Sequence, residues 1–307
     1  MAFPADTFTG IGGDLAVMIP QKWGNRVNDF FKLKLMLADF FTNRSEELAD
    51  GGSALYTPNM TEMSANSKSV ATAVTLNSPT ETKITLTVDQ WYEVSFAIED
   101  NLAAQFQRSY YIQEKYAMNA GYTMAKKLEV AIASLFSGFS TTVGASTTNL
   151  ADSEIRAAIA ALEAVGVDTS SDVAFFVSPN VFWRQIQNLD KFSLAINSPV
   201  NDPTAKTPKA TLYGIPVYVS NNIQYVSGTT GRYNALAHKD AIHYATSPLG
   251  QGGSLAKNSM VGQYGVRVQS NYIPEYLSTL TTADLLYGVV ENRDNAGVAI
   301  LTTATVA

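Results

Sequence analysis

The only two histidines of the chain, His238 and His243, flank an aspartate in His238-Lys239-Asp240-Ala241-Ile242-His243. Imidazoles beside a carboxylate are what a divalent metal or a general base would use, so this is the first place to look for catalysis. A spacing of five sets the rings about 140° apart on a helix and on opposite faces of a strand, and only a sharp turn would bring them together. Surface or hydrogen-bonded histidines are therefore the expectation, and metal-dependent hydrolysis through His238, Asp240 and His243 is the alternative from a different functional class. Two carboxylate pairs occur, Glu46-Glu47 and Glu99-Asp100. General acid–base work needs two carboxyls in different environments across a cleft, whereas neighbours on a strand point apart. Glu99-Asp100 suits the start of a helix, where acids accept from free amides at the positive end.

Other signatures are missing. Gly10-Ile11-Gly12-Gly13 lies neither after a strand nor before a helix, and neither a phosphate-binding loop nor a nucleophile elbow occurs. Without cysteine there is no disulfide, thiolate site or thiol nucleophile. Asn43-Arg44-Ser45 and Asn59-Met60-Thr61 match the glycosylation tripeptide by chance, and Tyr122, Phe136, Phe139 and Trp183 read as core or contact residues. No catalytic, cofactor-binding or metal-binding residue is assigned, and no cofactor is expected.

The composition points elsewhere. Of 307 residues, 46% are hydrophobic and only 16% charged, against about a quarter charged in ordinary soluble domains. Thr, Ser, Asn and Ala fill the difference, as on a surface that neighbouring molecules will cover. A net charge of −6, with Lys126-Lys127 the densest basic cluster, argues against nucleic-acid recognition. Met1–Asp6 has no signal-peptide pattern, and no apolar run reaches the roughly 18 residues of a membrane span.

The elements that would position such a surface can be read along the chain. Residues 1–18 are small, polar and Gly-rich, as in an extended arm. Trp23, Val27, Phe30 and Phe31 follow Pro20 at helical spacing, and Phe31, Leu33, Leu35 and Leu37 then alternate, leaving helix or strand open. Residues 43–80 have no strong core pattern and read as a long two-stranded loop, with a short alternating piece at Val70, Thr72, Val74 and Leu76. Ile84, Leu86 and Val88, then Tyr92, Val94, Phe96 and Ile98, keep one apolar face, so one long strand and a tight hairpin both fit. A helix of about 25 residues then runs to about Phe136, with a stripe of Ile112, Tyr116, Ala120, Met124, Leu128, Ala131 and Leu135. Residues 140–253 read as mixed α/β. They hold an amphipathic helix (Ile155, Ile159, Leu162, Val165) closed by Gly166 and a buried strand at Val173–Val177. A helix capped by Ser178-Pro179 follows, with Val181, Phe182, Ile186 and Leu189 inward, then strands at Ile215–Ser220 and Tyr233–Ala237. Strands at Tyr264–Val268, Leu285–Val290 and Val298–Leu301 close the chain.

Three stretches carry a family likeness: Ile19–Trp23 leading into Val27–Phe31; Leu86–Asp100 running into the long helix; and Tyr213-Gly214-Ile215-Pro216-Val217-Tyr218-Val219-Ser220-Asn221-Asn222. In their order and spacing they resemble the tailed-bacteriophage major capsid proteins of the Hong Kong 97-type fold, particularly the podophage-like coat proteins. The resemblance implies an α+β chain with an N-terminal arm (1–42), an E-loop (43–83), a P domain holding a spine helix (84–139), an A domain (140–253) and return strands of the P domain (254–307). It implies a non-enzymatic coat protein that self-assembles into hexamers and pentamers of an icosahedral shell around packaged phage DNA. Implied partners are other copies of the chain, a portal protein and a separate scaffolding protein, since the arm is too short for a fused scaffolding segment. A decoration protein is a further candidate, and neither sequence-specific nucleic-acid binding nor a membrane is implied. The location would be the virion, assembled in the host bacterial cytoplasm. A Lys–Asn crosslink, as some relatives form, would draw on Lys68 and on Asn292 or Asn295. An encapsulin-like cellular compartment is the nearest alternative.

Overall fold

The computed structural model describes residues 35–48, 52–100, 112–186, 189, 210–228, 230–247, 259–261 and 265–304. The elements expected at 19–31 and the first turns of the long helix lie outside those residues. The chain enters on a single helical turn, α1 (Leu37–Phe40), and a two-residue strand, β1 (Thr42–Asn43). Two strands follow, β2 (Ala54–Met60) and β3 (Glu81–Thr87), then β4 (Gln90–Glu99) and the long helix α2 (Ile112–Ser134). Next come β5 (Thr141–Gly144), α3 (Asp152–Ala164), β6 (Val173–Val177) and α4 (Pro179–Arg184). The remainder is β structure: β7 (Ala210–Leu212), β8 (Ile215–Val219), β9 (Tyr225–Ser227), β10 (Thr230–His238), β11 (Ile242–Thr246), β12 (Ser259–Val261), β13 (Val266–Ile273), β14 (Ser278–Glu291) and β15 (Gly297–Thr302).

Two sheets organise all of these strands except β2 and β3, which pair only with each other. A six-stranded sheet runs β1-β11-β14-β13-β12, with β4 also on β14. Its axis is the 14-residue β14, which pairs with β4 and β13 and, over its last residues, with β11. A seven-stranded sheet runs β5-β15-β10-β6-β8-β7, with β9 on β10. Strand β6, Val-Ala-Phe-Phe-Val, is buried along its whole length because it is central and covered on both faces. On one face Phe175, Val177 and Leu236 pack against Ile155, Leu162, Val181 and Phe182 of α3 and α4. On the other, Phe176 and Ala235 join the core that α1 and α2 share with the six-stranded sheet. Phe176 stacks on Phe136 at 5.7 Å and on Tyr218 at 5.7 Å, and meets Phe40 and Phe41 edge-on or tilted at 5.1 and 5.3 Å. This aromatic knot ties the seven-stranded sheet to α1 and to the turn that follows α2.

Gly166 ends α3 as expected. With φ at +86° it sits in the left-handed region, donating to Glu163 while Val167 reaches back to Leu162.

Four expectations are corrected. Ile84–Val88 and Tyr92–Ile98 form neither one strand nor a hairpin: β3 pairs with β2, β4 with β14, and the chain changes sheet at Val88. There the Val88 amide donates to Ser53 at 2.8 Å and its side chain is buried. The piece at Val70–Leu76 forms no strand, because it has no partner strand to pair with its backbone. The buried face of α2 is Ala120, Met124, Leu128 and Ile132, continued by Phe136 just past the helix; Tyr116 is exposed and Ala131 and Leu135 are only partly buried, so the expected stripe holds in its middle and shifts at its ends. Last, residues 254–307 do not stay together: β13 and β14 belong to the six-stranded sheet, but β15 inserts between β5 and β10 in the other. Conversely, β11, expected with the A domain, lies on β14.

Candidate assembly surfaces and the joint beneath them

His238 and His243 lie on either side of the β10–β11 turn, and that turn does bring both towards Asp240. His238 Nδ1 and His243 Nε2 each stand 3.9 Å from an Asp240 carboxylate oxygen. His238 and Asp240 are engaged in other hydrogen bonds, whereas His243 Nε2 is buried without a partner. His238 Nδ1 accepts the Asp240 amide at 3.2 Å, and Asp240 Oδ1 accepts the Thr42 hydroxyl at 2.8 Å. Burial, reinforced by Arg44, holds the His243 imidazole below its ordinary pKa. Among the described residues no group of three or more His, Cys, Asp or Glu side chains could hold a metal ion.

The carboxylate pairs separate as well. Glu47 takes a two-pronged ion pair from Arg44, both contacts 2.6 Å, which lowers its pKa and raises that of Arg44. Arg44 Nη1 also donates to Thr57 on β2 at 2.6 Å. Asp100 accepts the Tyr272 hydroxyl at 2.8 Å, and this bond raises the Tyr272 pKa. Sequence reasoning missed one charged pair completely. Arg267 on β13 grips Asp284 on β14 through Nε at 2.8 Å and Nη2 at 2.5 Å, and the Trp91 indole donates to the same carboxylate at 3.3 Å.

The most conspicuous surface is the long loop. Strands β2 and β3 form a separate two-stranded ribbon, Ala54 opposite Thr87 and Met60 opposite Glu81. Beyond the ribbon, residues 61–80 are exposed at every position. Val70 is 96% and Leu76 86% exposed, with Met60, Met63 and Val74 also uncovered. Soluble proteins seldom display so many large apolar side chains on one loop without a partner. The base, by contrast, is anchored by Leu48, Leu86, Val88 and Ala245, packed with Leu55, Leu286 and Val290. Lys68 lies near the tip, donating to Ser69 and Thr72 within its own loop. Asn292 is buried and donates to the Asp240 carbonyl at 3.1 Å, while Asn295 is exposed.

Beneath the loop base lies the second feature that the sequence pattern concealed. Glu129, on the inward face of α2, is fully buried. Its carboxylate oxygens accept the amides of Leu37 at 3.0 Å and Ala38 at 2.9 Å, some 90 residues away in the chain. From the other side the Tyr244 hydroxyl donates to the Ala38 carbonyl at 2.7 Å. The turn that leads into the loop base is therefore gripped by the long helix and by β11 together.

This architecture has counterparts among solved structures. A chain from Mycobacterium phage Che8 superposes with a TM-score of 0.69 at 16% identity, covering 92% of this chain and 96% of that one. A chain from the capsid of Cyanophage P-SCSP1u gives 0.70 at 13% identity, covering 98% and 96%. A chain from the capsid of an empty GTA particle gives 0.65 at 14%, covering 96% and 99%. The fold is that of phage capsid subunits. It is the α+β Hong Kong 97-type arrangement expected from the sequence. No family model and no curated protein matches the sequence itself.

Proposed function

We propose that this chain is the major capsid protein of a tailed phage, a structural rather than catalytic subunit whose copies form the hexamers and pentamers of an icosahedral shell around packaged DNA. The observation that carries this reading is the long loop: an anchored base, a paired stem and an apolar tip with nothing in its own subunit to cover it. On a capsid fold matched over nearly its whole length, a neighbouring copy is what would cover such a tip. In domain terms, residues 43–83 act as the E-loop, α2 as the spine helix of the P domain, and the seven-stranded sheet as the core of the A domain. The acidic net charge suits a wall that must not hold DNA during packaging and ejection. Assembly takes place in the host cytoplasm with a separate scaffolding protein and a portal, and the product is the virion shell.

Trypsin tests the loop directly. Lys68 and Lys83 are exposed, whereas Arg44 is tied to Glu47 and Thr57. Free subunits should be cut first at Lys68, and cutting there should slow sharply in assembled particles. Equal rates in the two states would show that the loop is not an assembly element.

A further inference from the structure

Arg232, on β10, is a buried cation that no carboxylate of the described residues answers. It is only 6% exposed and pairs with Tyr225 of the short outer strand β9. The Tyr225 ring covers its guanidinium, whose central carbon lies 3.4 Å from the ring centroid. Nη1 donates to the Ile223 carbonyl. Nε is buried with no partner, and Nη2 bonds to no described residue. The Asn222 amide nitrogen, one residue before that carbonyl, is likewise buried and unpartnered. Burial holds the Arg232 pKa below its ordinary value, and only Tyr225 acts against that effect.

A guanidinium offers an oxyanion two parallel donors along its Nε–Nη2 edge. Elsewhere in this chain that edge grips a carboxylate. Arg44 sets it against Glu47, both contacts 2.6 Å, and Arg267 sets it against Asp284 at 2.8 and 2.5 Å. In Arg232 the same edge faces no described partner, in a setting where an unpaired charge is costly. We propose that the Nε–Nη2 edge of Arg232 is a carboxylate receptor, filled by an acidic side chain of a second copy of this chain. Nucleic-acid phosphates are held by clusters of cations, and the densest basic cluster, Lys126-Lys127, lies on α2 instead. A second copy brings 27 acidic residues against 21 basic ones, so carboxylates are in surplus. Arg232 also lies close to the surface, since Gln224, Tyr225, Ser227, Gly228 and Thr230 are exposed. Among the described strands β9 pairs only with β10, so its outer edge is open to a neighbour. The identity of the occupant rests on the reading that copies of the chain assemble.

Two measurements on the full-length protein test the receptor and its occupant separately. In the first, thermal unfolding of free subunits is followed in acetate, inorganic phosphate and chloride at equal ionic strength and pH. Excluded anions stabilise every variant to some extent, so the readout is the difference between variants. Acetate and phosphate should raise the wild-type midpoint more than that of Arg232→Met, which keeps an apolar stem without the charge. In the second, particles are taken apart in urea. Arg232→Met should weaken association by roughly tens of fold per subunit, while changing the free subunit much less. Arg232→Lys keeps the charge without the fork and serves both comparisons if the methionine variant folds poorly. Equal responses to the anions in parent and variants would overturn the receptor. An Arg232-dependent response in free subunits, with particles indifferent to the substitution, would assign the edge to a free oxyanion and overturn the part given to a second copy. A wild-type chain that assembles nothing would refute the capsid reading and with it the second copy, while the first measurement still decides the receptor.

Discussion

Gly288, in the middle of β14, is where a single methyl group should lift the loop base off the body of the protein. A Cβ built there would lie 2.1 Å from the Thr87 carbonyl oxygen, 2.8 Å from its carbon and 3.0 Å from Val88 Cα. All three are backbone atoms, so no rotamer change relieves the clash, and the crossing from β3 to β4 must retreat by more than an ångström. Gly288 is not in the left-handed region, so alanine is conformationally acceptable there. By intrinsic preference alone, Gly→Ala in a strand interior should stabilise by about 0.5–1 kcal/mol. Against that stand overpacking, at about 1–3 kcal/mol, and partial exposure of Val88 and Leu86, each worth up to about 1.5–3 kcal/mol when fully buried. A net loss of about 2–4 kcal/mol is expected for Gly288→Ala. Urea unfolding followed by tryptophan fluorescence would measure it, since Trp91 pairs with Leu286, two residues away on the same strand. Trypsin cleavage at Lys83 should accelerate in parallel. An alanine variant as stable as the parent, or more so, would refute this account of the loop base.

Arg267→Met should destabilise by about 3 kcal/mol, because it leaves the Asp284 carboxylate, only 5% exposed, without its cation. Adding Asp284→Leu should recover much of the loss in urea unfolding, and a double variant as unstable as the single one would count against it. Met124→Pro should cost roughly 3 kcal/mol or more and abolish particle formation, because proline breaks the hydrogen-bond ladder of α2 at a buried position. Normal particles from that variant would mean that the helix is not the structural spine.

How much of this was legible beforehand depended on how local each signal is. Val173–Val177 reads as a buried strand from its composition, and Gly166 as a helix end from its place after an amphipathic stretch; both are decided by neighbours in sequence. Strand partners are not. The shared apolar parity of Leu86, Val88, Tyr92 and Val94 suits one continuous strand equally well, and only the distant β14, which takes β4 but not β3, shows that the chain turns aside at Val88. The insertion of β15 between β5 and β10 likewise rests on partners far away in the sequence, Val298 meeting both Thr141 and Leu236. Glu129 escaped notice for a related reason. A glutamate beside Leu128 reads as the polar edge of an amphipathic stripe, and nothing local announces that two amides some 90 residues away will meet it. The exposed loop, by contrast, was visible as the absence of a core pattern. The chemistry suggested by His238, Asp240 and His243 required a turn, and the turn is there, but it is occupied by hydrogen bonds from the Asp240 amide and Thr42.

The central claim is that this chain builds a shell, and electron microscopy of the purified protein, alone and with its scaffolding protein, tests it most directly. Closed icosahedral particles whose wall contains this subunit as rings of six and five, with the apolar tip of each long loop lying on a neighbour, are the expected result. A protein that stays a single sharp monomer peak at every concentration, with scaffold supplied and no particles on the grid, would contradict it.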